Sequence, residues 1–111
     1  MDKKDAVYMR PEKSELRPEL AEFLHQLGTV RAFSSKTVEA YTYDLSQFCA
    51  FLGEKLGIDW KIETVDYNSV KMFIDYLADK GNAPITRGRK LASLKSLFGY
   101  LLSQGKIETN P

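Results

Sequence analysis

Residues 85–104 read ITRGRKLASLKSLFGYLLSQ. Leu91, Leu94, Leu97, Phe98, Leu101 and Leu102 return at spacings of three and four, which places them along one side of an α-helix turning about 100° per residue. The spacing predicts a helix that begins after Asn82-Ala83-Pro84 and continues to about Ser103, with Gly105 just past its end. On the opposite side the same wheel sets Arg89, Ala92, Ser93, Ser96 and Tyr100. Lys90 and Lys95 fall on the two flanks, and Thr86 and Arg87 stand at the N-terminal end.

That polar side has small residues at its centre and no carboxylate. Residues 85–104 hold Arg87, Arg89, Lys90 and Lys95 and no Asp or Glu. A solvated helix ordinarily mixes Glu with Lys, because opposite charges one turn apart stabilise it. A helix entering a DNA major groove has other needs. Small residues admit the backbone, hydroxyls bond phosphates or base edges, and Arg reads guanine. The residues alone leave both readings open, a solvated face or a nucleic-acid contact.

Outward from this helix, three more helical patterns appear. Leu20, Phe23, Leu24 and Leu27 mark one from about Leu16 to Leu27, with Pro18 in its first turn and Gly28 as its stop. A second starts at Ser34 or Ser35, either of which can serve as N-cap, and runs to about Leu56 before Gly57. Its apolar line is Val38, Tyr41, Leu45, Phe48, Cys49, Leu52 and Leu56. The connection IDWKIETVDYN (residues 58–68) carries Trp60, Ile62 and Val65 and is expected to pack rather than to hang free. The third, from about Tyr67 to Lys80, turns Val70, Phe73, Ile74 and Leu77 inward, with Asp66 or Asn68 as its cap. No stretch alternates with period two long enough to demand a strand. The fold class expected is all-α, a compact four- to five-helix bundle, with a flexible tail over residues 1–14 and one domain over 15–111.

Composition narrows the function classes. The chain has 111 residues, one cysteine, one histidine and a formal charge of +1. Cys49 cannot form an internal disulfide, and with His25 alone there is no histidine-rich metal or relay site, so no cofactor or metal is expected. No apolar run reaches the ~20 residues of a membrane span, and the first fifteen residues lack the apolar core of a secretory signal. The expected location is cytoplasmic. Near-neutral overall charge does not itself suggest nucleic acid, but charge is unevenly spread. Residues 36–66 carry three basic side chains (Lys36, Lys55, Lys61) against six acidic ones (Glu39, Asp44, Glu54, Asp59, Glu63, Asp66). Residues 85–104 are purely cationic. Ser34-Ser35-Lys36-Thr37 adds a weaker patch of hydroxyls and one cation at a helix start, which capping alone also explains.

Two motifs carry a family resemblance. SSKTVEAYTYDLSQFCAFL (residues 34–52) resembles the helix T-x-x-x-Y-x-x-D-L-x-x-F-x-x-F/W-L of tyrosine recombinases. ITRGRKLASLKSLFGYLLSQGKIETNP (residues 85–111) is similar to the last helix of the same domain, where R-x-L-S-x-L-K/R-x-F/L-F-x-Y-L leads to Asn-Pro at a boundary. Order and spacing both agree, from about Leu16 to Pro111. The chain is thereby identified as resembling the N-terminal, SAM-like core-binding domain of phage integrases and Xer-type recombinases.

The resemblance implies a helical bundle that clamps one face of a double-stranded DNA recombination half-site. Its DNA contacts would be Lys36, Thr37, Ala40 and Tyr43 from the second helix. From the fourth they would be Thr86, Arg87, Arg89, Lys90, Ser93 and Ser96. Cleavage in that family uses a tyrosine nucleophile with arginines, a lysine and histidines from a catalytic domain that would follow Pro111. The chain is therefore expected to have no catalytic residues of its own. Other recombinase protomers are implied as partners of the full-length protein, and the isolated domain is expected to be monomeric. A helical protein–protein interaction module, using the first helix and no DNA, is the competing class.

Overall fold

The computed structural model describes residues 17–111. The expected tail over residues 1–14 lies outside the described residues. Within them the chain forms α1 (Pro18–Thr29), α2 (Ser35–Leu56), a 3-10 turn (Ile62–Thr64), α3 (Tyr67–Asp79) and α4 (Pro84–Ser103). The fold is all-helical, with no strand among the described residues. Backbone contacts group the chain into two units that divide between Gly57 and Ile58.

In the first unit α1 packs on α2. α1 buries Leu20, Phe23, Leu24 and Leu27, its whole predicted apolar line. Tyr41 of α2 stands between two phenylalanines, with ring centroids 6.4 Å from Phe23 and 6.1 Å from Phe33, the latter edge-on. Such tilted aromatic contacts add to simple area burial. Gly28 does not stop α1: the helix passes through it to Thr29. Closure comes from Val30 N and Arg31 N, both bonded to the Gln26 carbonyl, and from Phe33 N bonded to the Leu27 carbonyl. This wrapping puts Ala32 at φ 55°, in the left-handed region.

Ser34 is the N-cap of α2, its Oγ accepting from Thr37 N at 3.2 Å, and Gly57 ends the helix at φ 97°. The predicted apolar line holds in the middle, at Leu45, Phe48, Cys49 and Leu52, and frays at the ends. Val38 and Tyr41 are half-buried and Leu56 is exposed. Every residue from Asp44 to Cys49 is buried, and so is Phe51. Six consecutive buried positions exceed one face of a helix, so polar Asp44, Ser46 and Gln47 are buried along with the apolar line. Ser46 Oγ and Gln47 Oε1 have no hydrogen-bond partner among the described residues.

In the second unit α3 packs on α4. Trp60, Ile62 and Val65 are buried, so the connection is part of the packed structure. Asp66 caps α3, its carboxylate accepting from Ser69 N at 2.9 Å and Ser69 Oγ at 3.0 Å. Phe73 and Leu77 are fully buried, while Val70 and Ile74 are half-buried. Gly81 follows α3 at φ 88°, a conformation that favours glycine. α4 opens on Pro84 in its first turn, where a missing N–H costs nothing.

The buried side of α4 is Leu94, Leu97, Phe98 and Leu101, joined by Lys90 and Ser93. Leu91 is half-buried and Leu102 is 41% exposed. The inward direction is therefore turned toward Lys90 and Ser93 and away from Leu91 and Leu102. Counting only apolar residues misplaced it.

Candidate nucleic-acid interface

The rotation of α4 redraws its outer surface. Ile85, Gly88, Arg89, Ala92, Lys95, Gly99 and Ser103 are exposed. Thr86, Arg87, Ser96 and Tyr100 are half-buried. The exposed strip contains two cations and no carboxylate, and its centre is lower than expected because Gly88 and Gly99 have no side chain. A Cβ added at either glycine would meet nothing within 4 Å. Neither glycine is needed for internal packing, and glycine in a helix interior is unfavourable by about 1 kcal/mol relative to alanine.

Two residues expected on this surface are elsewhere. Lys90 is 3% exposed and Ser93 2% exposed, and Ser93 Oγ donates to the Arg89 carbonyl at 3.3 Å. The placement of Ser93 outward and Lys90 on a flank is corrected. Both lie on the side of Leu94 and Leu97, one position from the apolar residues that set the inward direction. A serine hydroxyl can bond its own helix backbone, and a lysine carries a long aliphatic stem, so neither is barred from the inside. Arg89 is exposed and Arg87, Thr86 and Ser96 keep part of their surface. Lys95, expected on a flank, is exposed.

On α2, Lys36 is exposed, while Thr37, Ala40 and Tyr43 are half-buried. Lys36, Ala40 and Tyr43 follow one another at four and three residues and share one line of the helix. Thr37 is engaged locally: its N–H and its Oγ1 both bond Ser34 Oγ, the latter at 2.9 Å. Capping thus accounts for two of the hydroxyls at this end. Glu39 is also exposed. A further cation stands just ahead of the helix, Arg31, with its guanidinium carbon 4.8 Å from the centre of the Phe33 ring. Only its proximity in the chain to Lys36 could have flagged it.

Elsewhere the second unit has a cavity of about 390 Å³ whose lining includes Glu63, Val65, Lys106 and Glu108. Its two carboxylates make it unsuited to phosphate. Among the described residues no group of three or more His, Cys, Asp or Glu side chains is placed to hold a metal ion, and no helix is long and apolar enough to cross a membrane.

Among the described residues, the all-helical fold thus exposes on α4 a cationic, acid-free strip of the charge that phosphate attracts. Residues 20–105 match the model of the phage integrase N-terminal SAM-like domain, and the chain belongs to that family. It is similar to the tyrosine recombinase XerC of Chlorobaculum parvum, 42% identical over 96 residues that span 83% of this chain and 29% of the relative. The tyrosine recombinase XerC of Chlorobaculum tepidum is 44% identical over the same shares. That of Caldanaerobacter subterraneus is 37% identical over 112 residues, 85% of this chain and 32% of the relative. The chain thus spans about 30% of the length of these curated relatives. No solved structure matches it.

Proposed function

We propose that this chain is the DNA-gripping part of a site-specific tyrosine recombinase, holding duplex DNA while residues outside it supply strand cleavage. One observation carries the reading: the outer strip of α4, from Ile85 to Ser103, exposes Arg89 and Lys95 around Gly88, Ala92 and Gly99 without a single carboxylate. A cationic, low-profile helix face suits a groove walled by phosphates. The α4 start adds backbone N–H groups, because Ala83 provides no side-chain cap. The part-exposed Arg87, Thr86 and Ser96 complete the contact on α4, and Lys36, Thr37, Ala40 and Tyr43 form a second contact on α2. Lys90 and Ser93 support the helix from inside rather than touch DNA.

The chain carries no strand-cleaving centre in this reading. Tyr41 belongs to the aromatic cluster of the first unit, and the sole histidine, His25, is on α1. In the full-length protein other protomers and a catalytic domain complete the assembly on a recombination site, in the cytoplasm.

The test is a titration of fluorescent duplex DNA followed by anisotropy at two salt concentrations. With Lys36, Arg87, Arg89 and Lys95 as the phosphate-facing cations, the log–log salt slope should be roughly −3 to −4. Absence of binding at low salt by the folded chain would reject the reading and favour a protein-interaction module. A covalent adduct between intact protein and a nicked duplex would overturn the assignment of cleavage to residues outside the chain.

A further inference from the structure

The first turn of α4 carries a side chain that the fold does not use. Ile85 is 83% exposed, far more than any other large apolar residue of that helix. A β-branched residue is also an indifferent helix former, so neither packing nor propensity calls for it there. Its surroundings are specific. Three and four residues on, along the same side, come Gly88, with open space where a Cβ would stand, and the exposed Arg89. Ala92 follows after a further turn. An aliphatic knob therefore projects at one end of a low strip that carries Arg89 and Lys95 and lacks any acid.

That combination selects among partners. A protein surface could accept the isoleucine, but would have to bring carboxylates to both Arg89 and Lys95. The DNA major groove offers both features together: phosphates and base acceptors for the cations, and one apolar group on its floor, the C5-methyl of thymine. Ile58, equally exposed, adjoins Asp59 instead and has no such setting.

We infer that Ile85 is a specificity-determining residue that reads a thymine methyl in the major groove, an assignment that rests on the DNA-facing reading of α4. The test selects duplexes from a pool with a randomised central segment, using the wild-type chain, Ile85→Ser and Ile85→Val. Wild type and Ile85→Val should enrich thymine at one position, and Ile85→Ser should lose that preference while keeping those at other positions. In the enriched duplex, deoxyuridine in place of that thymidine should weaken wild-type binding about fourfold, the transfer value of one methyl-sized group, and leave Ile85→Ser unchanged. All three proteins should melt at nearly the same temperature. The same thymine preference in Ile85→Ser, or no effect of deoxyuridine on wild type, overturns the assignment while leaving DNA binding intact. Failure of the wild type to bind or enrich any duplex removes the DNA reading and this inference with it.

Discussion

Ser93 Oγ lies 3.3 Å from the Arg89 carbonyl, so the hydroxyl is turned onto its own helix while the Arg89 side chain points to solvent. Two residues one turn apart, both suited by type to touch DNA, are thereby set in opposite surroundings, Ser93 buried and Arg89 exposed.

Arg89→Ala should weaken DNA binding and reduce the magnitude of the salt slope by about 1, with little change in melting temperature. Lys90→Ala should do the reverse, costing about 1–3 kcal/mol of stability through lost burial of its stem. Thermal melts and salt-dependent anisotropy on the two single variants check this. Equal effects of both on affinity, with neither destabilised, would contradict the rotation of α4.

Leu94 and Leu102 test the same rotation from the apolar side. Leu94 is fully enclosed and Leu102 is 41% exposed. Leu94→Ala should cost roughly 2–5 kcal/mol, whereas Leu102→Ala should fall near neutral. Urea unfolding of both gives the comparison, and a neutral Leu94→Ala would sink the register of α4.

Gly88→Ala separates stability from binding. A methyl there has open space, so the variant should gain about 1 kcal/mol in helix propensity. Where DNA approaches the bare backbone, the same methyl should lower affinity. A variant that melts higher and binds as well as wild type would place the close approach elsewhere on the helix.

Asp66 sets a pH dependence. The Ser69 N–H, then the Ser69 hydroxyl, hold its carboxylate below the ordinary value of 3.8. A carboxylate whose folded pKa is depressed stabilises fully above its unfolded pKa and loses that contribution as pH falls through the folded one. The stabilisation should therefore be complete at neutral pH and fade below about pH 4. Asp66→Ser, which caps without a charge, should show a flatter melting temperature between pH 5 and 3 in scanning calorimetry, the window set by that ordinary value. An identical acid profile for both proteins would show that the cap carries no linkage.

Much of this architecture is legible in one dimension. The three-and-four recurrence of Leu20, Phe23, Leu24 and Leu27 can be satisfied only by a helix with one apolar side. A cap at Ser34 or Ser35 and another at Asp66 or Asn68 are legible because short polar side chains meet the first free N–H groups of a helix. The fold takes Ser34 and Asp66, and Gly57 ends α2 because it takes a positive φ. The two recombinase-like motifs add the family, since their residues occur at fixed spacings and in the right order. These are local rules, set within a few residues, and the sequence by itself determined them.

What surrounds a helix is not local. Asp44, Ser46 and Gln47 are buried together with Leu45, Phe48 and Cys49, more than one face of α2 can hold, and no periodicity within α2 announces that. Lys90 and Ser93 went inward, and Leu102 outward, for a related reason. A helical wheel fixes the angles between side chains but not which direction faces the rest of the fold, and hydrophobic burial depends on area removed from water by neighbours distant in sequence. The tertiary structure alone decided that direction, and with it placed Ile85, Gly88 and Lys95 on the outer face of α4.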